Sequence, residues 1–175
     1  MEIKLRLESE KDHDAVENVI REAYWNKNQP GCEEHFILHL LRLTPAYIPE
    51  LSWVAESGEQ IVGSITYSKG EVINFNSEKF DILFLGPVGV LGEWQNQSIE
   101  EKLLNHTLKL AMEMSFSAVA VIGDPDYFHR FGFVNSDQYH IRTAEEKKLA
   151  AAFLYYGRPA HAHRGSADRT GALIH

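Results

Sequence analysis

The sequence predicts a mixed α/β (α+β) domain, with a mostly antiparallel twisted sheet of about six or seven strands flanked by helices and splayed at a central bulged strand. Three stretches carry this expectation. Ile3 to Leu7 alternates apolar with charged residues and is followed by an amphipathic helical stripe. Leu51 to Ile73 holds apolar runs around a hairpin signal, and Leu83 to Phe133 runs as strand, tight loop, helix, strand and crossing loop.

Size and composition bound the rest. At 175 residues, with 44% apolar and 11% aromatic content, the chain has material for one substantial core. A single domain over residues 1–156 is expected, followed by an exposed or mobile tail over 157–175. A net charge of −8 and a pI near 5.6 disfavour a broad nucleic-acid or anionic-membrane surface, and require any anionic ligand to be held by local geometry. Cys32 is the single cysteine, so neither an internal disulfide nor a thiolate metal site is available. The opening M-E-I-K-L-R-L-E lacks the apolar core of a signal peptide, and no run approaches a membrane span. A cytoplasmic protein, monomer or homodimer, is the expectation.

Taken in order, Ile3, Leu5 and Leu7 form the buried side of a first strand. Ser9 with Asp12 three residues later marks a helix start, and Ala15, Val16, Val19, Ile20 and Ala23 form its inward stripe. Tyr24 to Cys32 is polar with Pro and Gly and is expected as a loop. Glu33 to Leu43 suits a second short helix with Phe36, Ile37, Leu40 and Leu41 inward. Leu51 to Glu56 and Ile61 to Tyr67 are strands joined by S-G-E-Q, the second running on to Ile73, and Asn74 to Lys79 is a turn.

The next strand is apolar from Ile82 to Val90 except at Gly86, Pro87 and Gly89. Proline cannot donate to a ladder, so Gly86 and Pro87 mark a bulge where backbone groups are released from pairing. Gly92 to Ser98 is a polar loop. Ile99, Leu103, Leu104, Leu108, Ala111 and Met112 then follow helical spacing to about Met114. The N–H groups at this helix start, Gln95 to Glu100, are suited to an anion. Ala118 to Ile122 is a short buried strand, parallel to the bulged one after the helical crossover. A further strand signal lies near Tyr139 to Arg142. Ala144 to Ala152 has helical composition, while Ala151 to Tyr156 equally suits the last strand. The Gly-, Arg- and His-rich residues beyond resist packing, and His161 with His163 lack the carboxylate or thiol framework of a metal site.

Two separated blocks, L-G-P-V-G-V-L-G-E-W-Q from Leu85 to Gln95 and G-D-P-D-Y-F-H-R-F-G-F from Gly123 to Phe133, carry a family resemblance. The chain resembles the Gcn5-related N-acetyltransferases, in particular the branch with L-G-P-V-x-V before the loop and G-D-P-x-Y-x-x-R-F-G-F after it. The resemblance implies an acyl-CoA N-acyltransferase fold, with acetyl-CoA as co-substrate and no metal. It also implies that Val88, Gly89 and Val90 offer backbone groups to the pantetheine arm, and that the amides of Gln95, Asn96, Gln97, Ser98, Ile99 and Glu100 hold the pyrophosphate. The acceptor would be a primary amine of a small molecule or peptide, met by Tyr24, Trp25, Glu33 and Glu34 on the loop and helix pair that border the acceptor cleft in such proteins.

Departures from the family pattern are equally specific. Ser98 and Glu100 fill positions where the family loop has glycine or alanine, and no cation lies between Gln95 and Glu100. Glu100 in the first helical turn favours the helix dipole by up to about 1 kcal/mol, yet repels a diphosphate at the same turn. Counting back four residues from Gly132 reaches Phe128 rather than the tyrosine many members use to protonate the departing thiolate. Tyr127 beside it and His129 are the candidate donors. Two readings follow: an enzyme moving an acetyl group to an amine by direct attack, or a catalytically degenerate protein of the same fold serving as a ligand-binding or protein-interaction module.

Overall fold

The computed structural model describes residues 2–27, 29–74, 76–116 and 118–136 with their side chains, and residues 141–143, 152–157 and 172–174 as backbone strands. The chain divides into two compact units, Met1–Ser68 with Leu85–Leu110, and Lys69–Phe84 with Ala111–His175.

In the first unit β1 (Ile3–Leu7) pairs antiparallel with β2 (Trp53–Ser57), which pairs antiparallel with the first part of β3 (Gln60–Ile73). The β2–β3 register shifts between Ala55 and Glu56, so that Gly63 faces Ala55 while Ile61 faces Glu56. This bulge changes which face β3 presents. Helix α1 (His13–Tyr24) buries Val16, Val19, Ile20 and Ala23, and with Leu38 of α2 (Glu34–Leu41) it packs on Val54 and Ile61. Ala15, expected inward, is exposed, and of the β1 residues expected on a buried side Ile3 and Leu5 are half-buried while Leu7, at the end of the strand, is 49% exposed.

The helix start at Ser9 is built as the pattern predicts. The Ser9 amide and hydroxyl each donate to Asp12 Oδ2 at 2.8 Å, opening a 3-10 turn over Glu10–Asp12 that leads into α1. Arg6 of β1 adds two bonds to the same carboxylate, at 2.7 and 3.0 Å, and one to Glu56 at 2.7 Å. Arg42, just past α2 and nearly buried, bonds Glu8, and Glu17 at 2.7 Å, tying α2 to α1 and to the end of β1.

Helix α2 differs from its expected orientation. Leu38 is the buried residue and Leu41 is packed, while Phe36, Ile37 and Leu40 are 58, 54 and 46% exposed. The spacing of four large apolar residues made a stripe, but the face against α1 is the one through Leu38, Leu41 and Arg42, where charge pairing and packing act together.

The end of β4 (Lys79–Val90) also belongs to this unit, as does α3 (Ile99–Glu113) up to Leu110. Ile99, Leu103, Leu104 and Leu108 of α3 are buried, in accord with their spacing. Tyr67, fully buried in β3, shares a 2.8 Å bond with Thr107 Oγ1, which in turn donates to Leu103 O at 2.7 Å. That chain satisfies two buried hydroxyls and fixes α3 on β3.

In the second unit the start of β4 pairs parallel with β5 (Ala118–Gly123), Leu83 opposite Val119 and Phe84 opposite Ala120. β5 pairs antiparallel along its length with β8 (Ala152–Gly157), which also pairs with β6 (Val134–Asn135). β7 (Ile141–Thr143) runs parallel to β9 (Ala172–Ile174), and β9 pairs with the end of β3 at Val72 and Ile73. Val72, Ile82, Ala118 and Ala120 form this unit's core cluster, with Phe84 against it. Ile122, expected buried, is 49% exposed at the end of its strand.

The described residues thus hold nine strands where six or seven were expected, β7 overlapping the signal near Tyr139 to Arg142 and the short β6 and β9 having too little periodicity to be read. All the strand registers recorded are antiparallel except β4–β5 and β7–β9. Residues 144–151 and 158–171 lie outside the described residues, so the helical composition at Ala144 and the greater part of the expected tail have no structural counterpart here. The boundary expected after residue 156 falls inside β8.

Candidate functional site

The bulged strand ends in the first unit. Gly86 has φ +131, a conformation that excludes ordinary side chains, and the Gly86–Pro87 peptide is cis. Leu91 donates its N–H to Val62 O at 2.9 Å, so the alternation of an antiparallel edge turns Val90 and Val88 to the opposite side of β4. These are the groups expected to meet a pantetheine arm.

Side chains of the protein already stand there. The Tyr24 hydroxyl donates to Val88 O at 3.0 Å and accepts from Val88 N at 3.4 Å. Gln95 donates from its carboxamide to Val90 O at 3.3 Å. Gly89 between them is pressed against α1: a Cβ built on it would stand 2.8 Å from Ala23 Cβ and 3.2 Å from Ile20 Cδ1. Tyr24, expected in a loop at the acceptor side, is instead the last residue of α1, one turn beyond Ile20, with its ring on the bulge. Burial pushes its phenol up to about 12, with the charges of Glu100 and Glu34 adding to the rise and the Val88 bond opposing it. It therefore stays protonated at neutral pH, a fixed donor rather than a proton carrier.

The loop after β4 begins as a 3-10 turn over Gly92–Trp94, with Trp94 N bonded to Leu91 O at 2.8 Å. Asn96 and Ser98 then adopt φ +61 and +58, and Ser98 O accepts the first helical bond from Lys102 N at 3.0 Å. Ser98 thus replaces glycine in sequence while keeping the left-handed backbone that favours glycine. Ile99, the first residue of α3, is buried, and an added Cβ at Gly63 would lie 3.2 Å from its Cγ2. The small residue in β3 lets the start of α3 come close to the sheet. Gln95, Asn96, Gln97 and Ser98 are exposed, and Glu100 is half-buried with its charge felt at the Tyr24 phenol.

Of the other residues expected to meet the acceptor, Trp25 is 54% exposed, Glu33 is exposed and Glu34 half-buried. Glu34 Oε2 accepts from Glu33 N at 3.0 Å. Cys32 Sγ lies 3.3 Å from His35 Nδ1, and burial together with Glu34 pushes its thiol up, away from a reactive thiolate. Tyr24, Val88, Gly89, Val90 and Gln95 are brought together by these contacts.

Tyr127 and His129 belong to the second unit. Asp124 caps α4 (Pro125–Phe128), its Oδ1 accepting from Asp126 N at 3.0 Å, and Gly132 closes the next turn at φ +89. Phe128 is buried with its ring against Gly123, where a Cβ would collide with it. Phenylalanine at 128 is thus a core residue, and Gly123 is glycine to admit it. Tyr127 is half-buried, edge-on to Phe128 at 5.1 Å, with the Arg130 guanidinium 4.7 Å from its ring centre. His129 is exposed, with Nε2 3.3 Å from Asn135 Oδ1.

Among the described residues no group of three or more His, Cys, Asp or Glu is arranged to hold a metal ion, and no helix is long and apolar enough to cross a membrane. The residues missed at the sequence level are Tyr24 as a clamp on β4, the Tyr67–Thr107 pair and Gly63. Only the first left a signal: Val16, Ile20 and Tyr24 continue one helical stripe.

Comparison with known proteins bears on the family and the fold. A model of the acetyltransferase (GNAT) family matches residues 17–133. A GNAT family acetyltransferase from Brucella melitensis, solved in complex with acetyl-CoA, is 26% identical, with 89% of this chain and 88% of that one covered at a TM-score of 0.69. The GNAT family N-acetyltransferase YhbS from Escherichia coli, solved with CoA, is 21% identical and shares the fold at a TM-score of 0.79, covering 98% of this chain and 88% of its own. A GNAT family acetyltransferase from Staphylococcus aureus is 17% identical at a TM-score of 0.63, with 89 and 99% covered. No curated protein sequence matches.

Proposed function

Because the chain belongs to the acetyltransferase (GNAT) family, we infer that it moves an acetyl group from acetyl-CoA to a primary amine. The observation that carries this reading is the end of β4, where Val88 and Val90 turn away from the β3 partner and the left-handed turn at Ser98 opens α3 immediately after. A backbone edge followed by a helix start suits an extended amide chain ending in a diphosphate. In this reading the pantetheine amide takes the Val90 carbonyl from the exposed Gln95, and the amides from Gln95 to Glu100 take the diphosphate.

The chemistry is direct attack. The neutral amine forms a bond to the thioester carbonyl carbon, the carbon–sulfur bond breaks, and the amine proton leaves for the thiolate or for water. The chain's own part is orientation and polarisation of the carbonyl by a β4 N–H on the free edge. Trp25, Glu33, Glu34 and the region of Tyr24 form the proposed acceptor side, where carboxylate charge favours a cationic amine before it loses its proton. Tyr127 and His129 stay the candidate proton donors on the strength of the family resemblance alone.

The degenerate reading has one observation in its favour: Phe128 is buried against Gly123 and has no group to donate. Thiol release separates the two. Incubated with acetyl-CoA and a panel of small primary amines and peptides, the enzyme reading predicts amine-dependent release of coenzyme A above the hydrolytic background. Binding of acetyl-CoA with no release for any amine would support the module instead.

A further inference from the structure

The phenol of Tyr24 reaches across from α1 to a single residue of β4, and both backbone polar groups of that residue meet the same oxygen: Val88 O at 3.0 Å and Val88 N at 3.4 Å. The next residue is backed by side-chain contact as well, since Gly89 lies against Ala23 and Ile20, with its Cβ position 2.8 Å from Ala23 Cβ. The last turn of α1 therefore fixes Val88 and Gly89 together. This occurs next to Gly86 and Pro87, the first lacking a side chain and the second lacking an N–H, where β4 has least of its own to hold it.

We propose that Tyr24 is a positioning residue for acyl transfer: by bonding the backbone N–H and C=O of Val88 it holds the free edge of β4 in one geometry, so that the acyl carbonyl is polarised from a fixed position. The proposal rests on the acetyltransfer reading above. With its hydrogen committed to the Val88 carbonyl, the phenol is not a proton donor to the leaving thiolate. The Val88 carbonyl is correspondingly withdrawn from the ligand, which leaves the Val90 carbonyl, covered by exposed Gln95, as the acceptor for the incoming amide.

Tyr24→Phe keeps the ring against Gly89 and removes the oxygen. The expected result is a folded protein whose acetyl-CoA affinity stays within about threefold of the parent, while kcat for the best amine falls roughly 10- to 100-fold, as small misplacement of reacting groups does. The pH dependence of kcat should keep its shape, since no titrating group of the reaction has been lost. Unchanged kcat overturns the proposal, as does a loss that lies wholly in acetyl-CoA affinity or the disappearance of an alkaline limb from the pH profile. A structure of the parent protein with coenzyme A tests the same point without a variant: the Tyr24 oxygen should remain bonded to Val88 O, and its departure would make it a displaceable plug. The two levels separate cleanly. A parent protein that binds no acetyl-CoA overturns the acetyltransfer reading and this role with it, whereas an active parent with an equally active variant overturns this role alone.

Discussion

The Tyr24 hydroxyl and the Val88 backbone, 64 residues apart in the chain, form a closed contact in which one oxygen donates to the carbonyl of that residue and accepts from its N–H. It joins the end of the first helix to the strand that the whole site depends on. The glycine beside it makes the contact possible, because any larger residue at 89 would push α1 away from β4.

The first prediction follows from that glycine. Gly89→Ala sets a methyl group 2.8 Å from Ala23 Cβ, on a helix backed by its own core, and Ile20 Cδ1 lies 3.2 Å away. Overpacking of this kind costs about 1–3 kcal/mol. Urea unfolding should show a lower midpoint with an unchanged slope.

Ser98 carries the opposite prediction. Its φ of +58 costs an L-residue about 1 kcal/mol or more, of which glycine would be relieved, less the extra backbone entropy glycine loses on folding. Ser98→Gly should therefore raise stability by roughly 0.5 kcal/mol, measured in the same urea experiment. A destabilised variant would show that the Ser98 side chain itself holds the loop.

Asp12 gives a pH dependence. The Arg6 guanidinium, first, and the Ser9 amide and hydroxyl hold its carboxyl well below the usual carboxylate range, against a smaller opposing effect of burial. A depressed carboxyl stabilises the fold at pH values above its ordinary 3.8, and that contribution fades as pH falls from there toward the folded value. Asp12→Asn should cost roughly 1–3 kcal/mol at pH 7, and the gap from the parent should close as pH is lowered below about 4. Thermal melts across that range check the sign.

Glu100 tests the loop. Its charge is felt at the Tyr24 phenol, so it acts on the site side of α3, where a diphosphate is proposed. Glu100→Gln should tighten acetyl-CoA binding severalfold at low salt, and the gain should shrink as screening shortens toward about 8 Å at physiological ionic strength. Equal affinities at low salt would mean that the carboxylate faces away from the diphosphate.

Much of this architecture was legible beforehand, for physical reasons that differ from element to element. α1 announced itself because one face is buried, so that its period survives in the sequence, and β1 shows the alternation although Ile3 and Leu5 are only half-buried and Leu7 is exposed. The Gly86, Pro87 and Gly89 interruptions marked the bulge because each residue has a single backbone consequence. What was not legible depended on partners distant in the chain. The stripe of Val16, Ile20 and Tyr24 gives the side to which Tyr24 turns but not its partner Val88, and nothing local tells that Phe128 fills the space over Gly123. The outward face of α2 escaped for a related reason: periodicity finds a stripe, but the buried Arg42 with Glu8 and Glu17 decided which side of the helix faces α1. At the loop, composition and backbone disagreed, since Ser98 lacks the family glycine yet retains its conformation.

Calorimetric titration of the full chain with acetyl-CoA tests the central claim most directly. If the β4 edge at Val90 and the amides from Gln95 to Glu100 hold the carrier, saturable binding at one site is expected with a dissociation constant in the micromolar range, weakened by raised salt. Absence of saturable binding at millimolar acetyl-CoA would contradict it.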